Sequence, residues 1–175
     1  MKYFLLTAIT SLLCFNIIMA QSIDKKRDTS IRESVPFHFK TIDGDIISSD
    51  NTKNKTIVVC FLGYRNILTA DTLNKLASLT LDYKMKNIDF IFITGNEEKN
   101  QKIIPALKGL FSEKNHHFIV LKEEEHKTVL MNFNGFPAIK TNYVIRPDKK
   151  LIYSNWSYTS PTEIKKYIDI AESSR

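Results

Sequence analysis

Apolar and polar side chains recur with the periods of strands and helices from about Val35 onward. Residues 37–42 alternate apolar and polar, which predicts a half-buried strand, and Asp43-Gly44 is a hairpin turn signal. Residues 56–62 and 88–94 are continuous β-branched and aromatic runs, typical of central strands covered on both faces. The predicted strands are residues 37–42, 45–47, 56–62, 88–94, 118–121, 141–145 and 151–153.

Helical periodicity separates these strands. It predicts helices at 69–85, 98–111 and 124–133, and the second of these contains Pro105 and Gly109, which predict a kink or a break. A last helix is predicted from Pro161, because Ser160 and Glu163 form a capping box. The order of elements favours an α/β fold in which helices cover both faces of a mixed central sheet and a β-hairpin precedes it.

The first 20 residues have the pattern of an export leader: one lysine, an apolar run and small residues before Gln21. We expect cleavage between Ala20 and Gln21. The competing interpretation is a membrane anchor, although the run is shorter than the ~20 residues of a spanning helix. A lipoprotein acylated at Cys14 is disfavoured by the preceding Leu13.

The rest of the chain then divides into a flexible polar spacer, residues 21–34, and one domain, residues 35–175. The leader predicts a periplasmic or secreted protein without a stable membrane span after cleavage, or a tethered protein if the leader stays. The net charge of +6 comes from dispersed lysines and arginines, with acidic runs between them. This pattern indicates a solvated surface and disfavours nucleic-acid binding.

Cysteine usage limits the chemistry further. The sequence has two cysteines, Cys14 and Cys60, so cleavage of the leader leaves Cys60 as the only thiol. A single cysteine cannot form an internal disulfide. Its position within an apolar strand predicts a buried, inert residue, because burial raises the pKa of a thiol.

Three segments resemble the thioredoxin-like superfamily, most closely its exported TlpA-type branch near the AhpC/TSA and redoxin families. Residues 39–46 resemble the opening strand and Asp-Gly turn, 55–61 resemble the central strand, and 143–152 resemble the strand-turn-strand that follows. The resemblance spans residues 35–171. It implies a thioredoxin-like three-layer sandwich and a history of thiol–disulfide chemistry.

The residues that carry this chemistry in the superfamily are replaced here. The resemblance places its Cys-x-x-Cys pair at Asn66 and Thr69, neither of which forms a thiolate. It places the proline that shapes the substrate groove at Lys140, while Pro137 stands three residues earlier. We therefore expect no catalytic residue, vestigial positions at Asn66, Thr69 and Lys140, and a groove near Arg65 and Pro137.

Other candidate sites have simpler interpretations. Asn66 and Thr69 are predicted at the start of a helix, where free backbone N–H groups favour the binding of anions, but Thr69 is also a good N-cap residue. A tyrosine and tryptophan cluster could bind peptides, but such side chains more often pack a strand against a helix. The histidines could bind a metal, but surface loop histidines are the favoured interpretation. The cluster consists of Tyr153, Trp156 and Tyr158, and the histidines are His38, His116, His117 and His126.

These observations lead to two main hypotheses. The first is a redox-inactive binding or accessory module that holds an unidentified protein or peptide partner in the cell envelope, without cofactor or metal. The second is a thiol–disulfide oxidoreductase, or a peroxiredoxin-related antioxidant protein, that works through Cys60 or a partner's thiol. A purely structural protein is a third class that the residues leave open.

Overall fold

The computed structural model describes residues 32–62, 70–95, 109–111, 115–133, 141–155 and 161–174. Within these ranges the chain forms eight strands and three helices. The strands are β1 (Arg32–Glu33), β2 (His38–Lys40), β3 (Ile46–Ser48), β4 (Thr56–Phe61), β5 (Ile88–Thr94), β6 (His116–Val120), β7 (Thr141–Ile145) and β8 (Lys150–Asn155). The helices are α1 (Ala70–Asp82), α2 (Glu123–Asn132) and α3 (Pro161–Ser173).

Six strands form one mixed sheet in the order β1-β8-β7-β4-β5-β6. Strands β4, β5 and β6 run parallel, and β7, β8 and β1 are added antiparallel to their neighbours. Every residue of β4 and β5 is buried, because both faces of these central strands are covered. The mixed sheet that the apolar runs predict is confirmed.

The two faces of the sheet carry two separate hydrophobic cores. One core joins the sheet to α1 and α3, and we call it the α1/α3 face. The other joins the sheet to α2 and to the separate β2–β3 hairpin, and we call it the hairpin face. Helices or the hairpin thus cover both sides, and the predicted three-layer α/β sandwich with an N-terminal hairpin is confirmed.

One local feature differs from the sequence prediction. Arg32 and Glu33 pair with Leu151 and Lys150, so paired structure begins inside the stretch predicted as a spacer. These two residues are held by backbone hydrogen bonds, and their side chains show no apolar pattern from which a strand could be predicted. At the described end of the predicted helix 98–111, Gly109 and Leu110 form a turn, which agrees with the break predicted at Gly109 and with the entropy cost of a helical glycine.

Candidate functional site

The strand register defines where the predicted site is attached to the sheet. Phe61 at the end of β4 pairs with Thr141 at the start of β7. Residues 63–69 follow the first strand and residues 134–140 precede the second, so both segments join the sheet at the same end. The site positions predicted within them lie outside the described residues: Arg65, Asn66, Thr69, Pro137 and Lys140. The predicted cleavage residues Ala20 and Gln21 lie outside them as well.

Cys60 lies one residue before that end of β4, paired with Phe92 of β5 on one side and Asn142 of β7 on the other. Its side chain has no solvent exposure, it is a free thiol, and it belongs to the α1/α3 core. Burial raises the pKa of Cys60 to about 12. At pH 7 only about one molecule in 10⁵ therefore carries the thiolate, which is the nucleophilic form.

The packing around Cys60 also blocks access to its sulfur atom. Leu73 on α1 and Ile164 and Ile168 on α3 belong to the same core, and each is almost fully buried. A reagent or a partner's thiol can reach the sulfur only if this packing opens. The burial of Cys60 that the apolar run of residues 56–62 predicts is therefore confirmed.

On the opposite, hairpin face, a cluster of four rings supports the same end of the sheet. The Phe61 ring lies 5.6 Å from Phe133, 5.7 Å from His126 and 5.8 Å from Tyr143, measured between ring centroids, and these contacts are edge-on. Phe133 and Tyr143 are 5.1 Å apart. Phe61, Phe133 and Tyr143 each lie within three residues of a segment that carries predicted site positions. We call these four residues the aromatic floor.

The two polar members of the aromatic floor are both fully buried. Burial lowers the pKa of His126 to about 4, so its ring is neutral at pH 7. Burial also raises the pKa of Tyr143, with a smaller opposing effect from Arg32. Among the described residues the Tyr143 hydroxyl has no hydrogen-bond partner. Neither group is exposed for acid–base chemistry at neutral pH.

The interpretation of the four histidines as surface loop residues is right about the surface for His38 and wrong for the buried His126, and all four lie in strands or a helix rather than in loops. His126 lies inside α2 with no exposure, since it occupies a position of the helix's buried stripe. His116 and His117 are half-buried in β6, and His38 is exposed on β2. Within the described ranges, no group of three or more potential metal-ligating side chains comes together.

Tyr153 contributes to the packing of the domain, whereas several lysines contribute to its charged surface. Tyr153 is buried and stacks on Tyr167 of α3 with ring centroids 4.1 Å apart, so it packs strand against helix. Trp156 and Tyr158, its predicted companions, lie outside the described residues. Several lysines form ion pairs with acidic side chains: Lys55 with Asp89, Lys75 with Asp71, Lys127 with Glu123, and Lys165 with Asp82.

Sequence comparisons identify no relative. No known family model matches the chain, and no curated protein matches it. Solved structures do match, at low sequence identity. A thiol:disulfide interchange protein of the thioredoxin family from Chlorobium tepidum is 16% identical with a TM-score of 0.63, covering 82% of this chain and 98% of its own.

Two further structures are similar. BsSco, a member of the Sco family of cytochrome c oxidase assembly proteins, is 17% identical with a TM-score of 0.62, covering 83% of this chain and 96% of its own. StoA from Bacillus subtilis is 14% identical with a TM-score of 0.55, covering 76% and 96%. Other matching structures are also described as a thioredoxin or as the thioredoxin domain of a thiol–disulfide oxidoreductase. The chain has a thioredoxin-like fold, in which the single described cysteine lies buried in the central strand and no Cys-x-x-Cys pair is present.

Proposed function

We propose that this protein is a redox-inactive, thioredoxin-like module of the cell envelope that binds a protein or an extended peptide. The observation that carries the proposal is the state of its thiols. The sequence places cysteines only at positions 14 and 60, and Cys60 is fully buried. The protein would keep the thioredoxin-like fold without thiol–disulfide chemistry, since a fold does not by itself imply a function.

The chemistry of thiol–disulfide exchange supports the proposed redox inactivity. Reduction of a substrate disulfide transfers two electrons, and a dithiol protein supplies them by attack of one thiolate and resolution by a second thiol. With Cys14 in the leader, Cys60 has no second cysteine to resolve a mixed disulfide. Its raised pKa and its burial also remove the first step.

A binding role is supported by the organisation of the sheet end. Phe61 and Thr141 bring the attachment points of residues 63–69 and 134–140 side by side, and the aromatic floor supports them from the hairpin face. These two segments contain Arg65 and Lys140, two cations, together with the amide Asn66. A buried sheet end from which the chain continues into cationic and polar residues suits capture of an extended, polar or acidic chain.

Location in the cell envelope rests on the leader-like pattern of residues 1–20. Among the helices that the structure describes, none combines the length and the hydrophobicity of a membrane-spanning segment. One structural neighbour is described as an exposed lipoprotein thioredoxin of Streptococcus pneumoniae. We propose a periplasmic or secreted protein, which stays tethered if the leader is retained.

A reductase assay with a built-in positive control tests the redox part of the proposal. The purified protein is compared with Cys60→Ala and with an Asn66→Cys, Thr69→Cys variant made in the Cys60→Ala background. We expect no turnover of a model disulfide by the natural protein or by Cys60→Ala, and turnover by the variant in which the pair is restored. Activity of the natural protein that is lost in Cys60→Ala would instead establish the alternative, a one-cysteine mechanism.

The binding part needs its own test. A photo-crosslinker placed at position 65 or 140 is used to capture a partner in envelope extracts, and the partner is then purified. We expect its measured affinity to fall at least tenfold in an Arg65→Glu, Lys140→Glu variant and to stay unchanged in Lys75→Glu, an exposed lysine on α1. Equal affinities for the two variants would show that the partner does not use this end of the sheet.

A further inference from the structure

One exposed turn carries an apolar side chain between two lysines. Residues 83–87 join α1 to β5, and residues 84–87 are all exposed. Met85 in this turn is 88% exposed, the highest value among the large exposed apolar side chains of the described residues. Its neighbours in the chain are Lys84 and Lys86. Because single exposed apolar side chains are common, the surroundings of Met85 decide whether it has a function.

Buried residues hold the turn on both sides. Tyr83, just before the exposed residues, is 4% exposed, and its hydroxyl donates to Asp169 Oδ1 of α3 at 2.7 Å. Ile88, just after them, is 1% exposed and begins β5. The Lys86 N–H donates to the Tyr83 carbonyl oxygen at 2.9 Å and closes the turn. The exposed methionine therefore stands on an ordered base, so its contact with a partner orders little additional backbone.

A neighbouring turn adds a third lysine. The side-chain amide of Asn87 donates to the Asn54 carbonyl oxygen at 2.9 Å, and the Thr56 N–H donates to the Asn87 carbonyl oxygen at 3.1 Å. These bonds join the turn before β4 to the turn before β5, and the turn before β4 carries the exposed Lys53. We call the following four residues the cationic tip: Lys53, Lys84, Met85 and Lys86.

The lysines of the cationic tip keep their positive charge available. None of the three forms an ion pair with a residue that the structure describes, whereas the acidic groups around Tyr83 and β5 each have another side chain as partner. The tip therefore combines an exposed apolar side chain with three cations that can face an anionic surface. The acidic groups and their partners are Asp82 with Lys165, Asp169 with Tyr83, Glu172 with Thr56, and Asp89 with Lys55.

We propose that the cationic tip docks the domain on an anionic lipid surface, with Met85 entering the headgroup layer between the lysines. Lysines near such a surface are attracted to it, and an apolar side chain among them adds burial in the interface. A membrane fits the tip better than an acidic protein does, because a protruding turn with one apolar side chain offers little of the area that a stable protein interface needs. The leader-like residues 1–20 direct the chain to a membrane in the first place.

The position of the cationic tip gives this docking an orientation. Lys53 and Lys86 precede β4 and β5, whereas residues 63–69 and 134–140 join the sheet at its other end, next to Phe61 and Thr141. The six residues of β4 separate the two ends by about 20 Å of extended chain. A domain docked by the tip therefore presents the proposed binding end away from the bilayer. This inference rests on the proposed location in the cell envelope, but not on peptide binding or redox inactivity.

Co-sedimentation with lipid vesicles tests the cationic tip. The purified protein without its leader, which keeps every described residue, is mixed with vesicles of phosphatidylcholine or of an equal mixture of phosphatidylcholine and phosphatidylglycerol. We expect binding only to the anionic vesicles, and weaker binding at high salt because the charges are exposed. The double variant Lys84→Gln, Lys86→Gln should bind about 25-fold more weakly, since each lysine at an anionic surface contributes about fivefold. Met85→Ser should bind about tenfold more weakly, because it loses apolar burial.

Matched variants separate the cationic tip from net charge and from exposed methionine in general. The double variant Lys75→Gln, Lys127→Gln removes the same charge from two lysines that already have ion-pair partners. Met131→Ser removes a methionine of α2 that is 61% exposed. Both should bind within about threefold of the natural protein, because charges away from the lipid surface are screened. Absent binding to anionic vesicles, as expected of a site for an acidic protein, or equal losses in tip and control variants, would overturn the proposal.

Fluorescence shows whether position 85 itself enters the lipid. Met85→Cys and Met131→Cys, each made in the Cys60→Ala background, are labelled with an environment-sensitive dye. Anionic vesicles should shift the emission of the dye at position 85 to the blue and leave the dye at position 131 unchanged. A shift at both positions, or at neither, would contradict docking by the tip. Fractionation of the source cells measures the location of the protein separately, so a failure of the envelope assignment stays distinct from a failure of vesicle binding.

Discussion

Acid should destabilise the whole domain through His126, and the size of the effect follows from its position. The ring is fully buried in the aromatic floor, 5.7 Å from Phe61. Burial lowers the pKa of His126 from 6.5 to about 4. In the unfolded chain the ring titrates near 6.5, so between these two values the unfolded state binds more protons and stability falls as the pH falls.

The difference between the two pKa values corresponds to about 3 kcal/mol at most, since each unit is worth about 1.4 kcal/mol. The contribution of the neutral His126 ring to the free energy of unfolding is fully present above pH 6.5 and is lost as the pH falls towards 4. By pH 5 we expect a loss of about 2 kcal/mol in the free energy of unfolding, which is a large part of the stability of an ordinary domain.

Urea unfolding followed by far-ultraviolet circular dichroism, at several pH values from 7.5 to 5.0, measures this loss. His126→Gln, which stays neutral throughout, is the matched variant, and the difference between the two pH profiles isolates the histidine from the carboxylates. His38→Gln controls for an exposed histidine. Parallel pH profiles of the natural protein and His126→Gln, within about 0.5 kcal/mol, would refute the reasoning.

Three further substitutions test the packing, each by its free energy of unfolding at pH 7.5. Phe61→Ala should cost about 3–5 kcal/mol because it empties the centre of the aromatic floor, whereas a cost below about 1 kcal/mol would contradict that placement. Tyr143→Phe should be neutral or stabilising by up to about 1 kcal/mol, since the lost hydroxyl has no partner among the described residues, and a marked loss would reveal one. Cys60→Ser should cost more than Cys60→Ala, by about 1–3 kcal/mol, because it buries a hydroxyl in an apolar core.

The sequence predicts most of the sheet because its central strands carry an unambiguous signal. Strands β4 and β5 are buried on both faces, so continuous apolar runs report their position directly. Helix α3 follows from the position of Pro161 and Glu163 with an apolar stripe behind them. The sequence does not predict strand β1, because its two residues are held by backbone pairing with β8 and show no apolar pattern.

The buried histidine shows a second limit of sequence reasoning. Helix α2 starts with three glutamates, which suggest a solvated segment, yet His126 and Leu130 face the core. A histidine at an apolar position cannot be told from a surface histidine by residue type alone, because the distinction depends on what packs above it. The spacing of positions 126, 130 and 133 along one helical face is the signal that could have found it.

Contacts between distant segments are equally hidden in the sequence. The sequence predicts the hairpin through Asp43 and Gly44, but it does not show that Ile42 reaches over β6 to the opposite face. The charged group of Lys55, Asp89 and His117 is assembled from three consecutive regions of the sheet by the parallel register. Spatial clusters of this kind require the fold before they can be recognised.

The reaction of Cys60 with a thiol reagent tests the central claim most directly. The purified, folded protein is mixed with a chromogenic disulfide near pH 7 and followed with and without denaturant, with Cys60→Ala as the blank. Burial and a pKa of about 12 predict no release of chromophore on the scale of hours in the native state and rapid, stoichiometric release in denaturant. Fast release from the native protein would contradict the account and establish an exposed, activated thiol in its place.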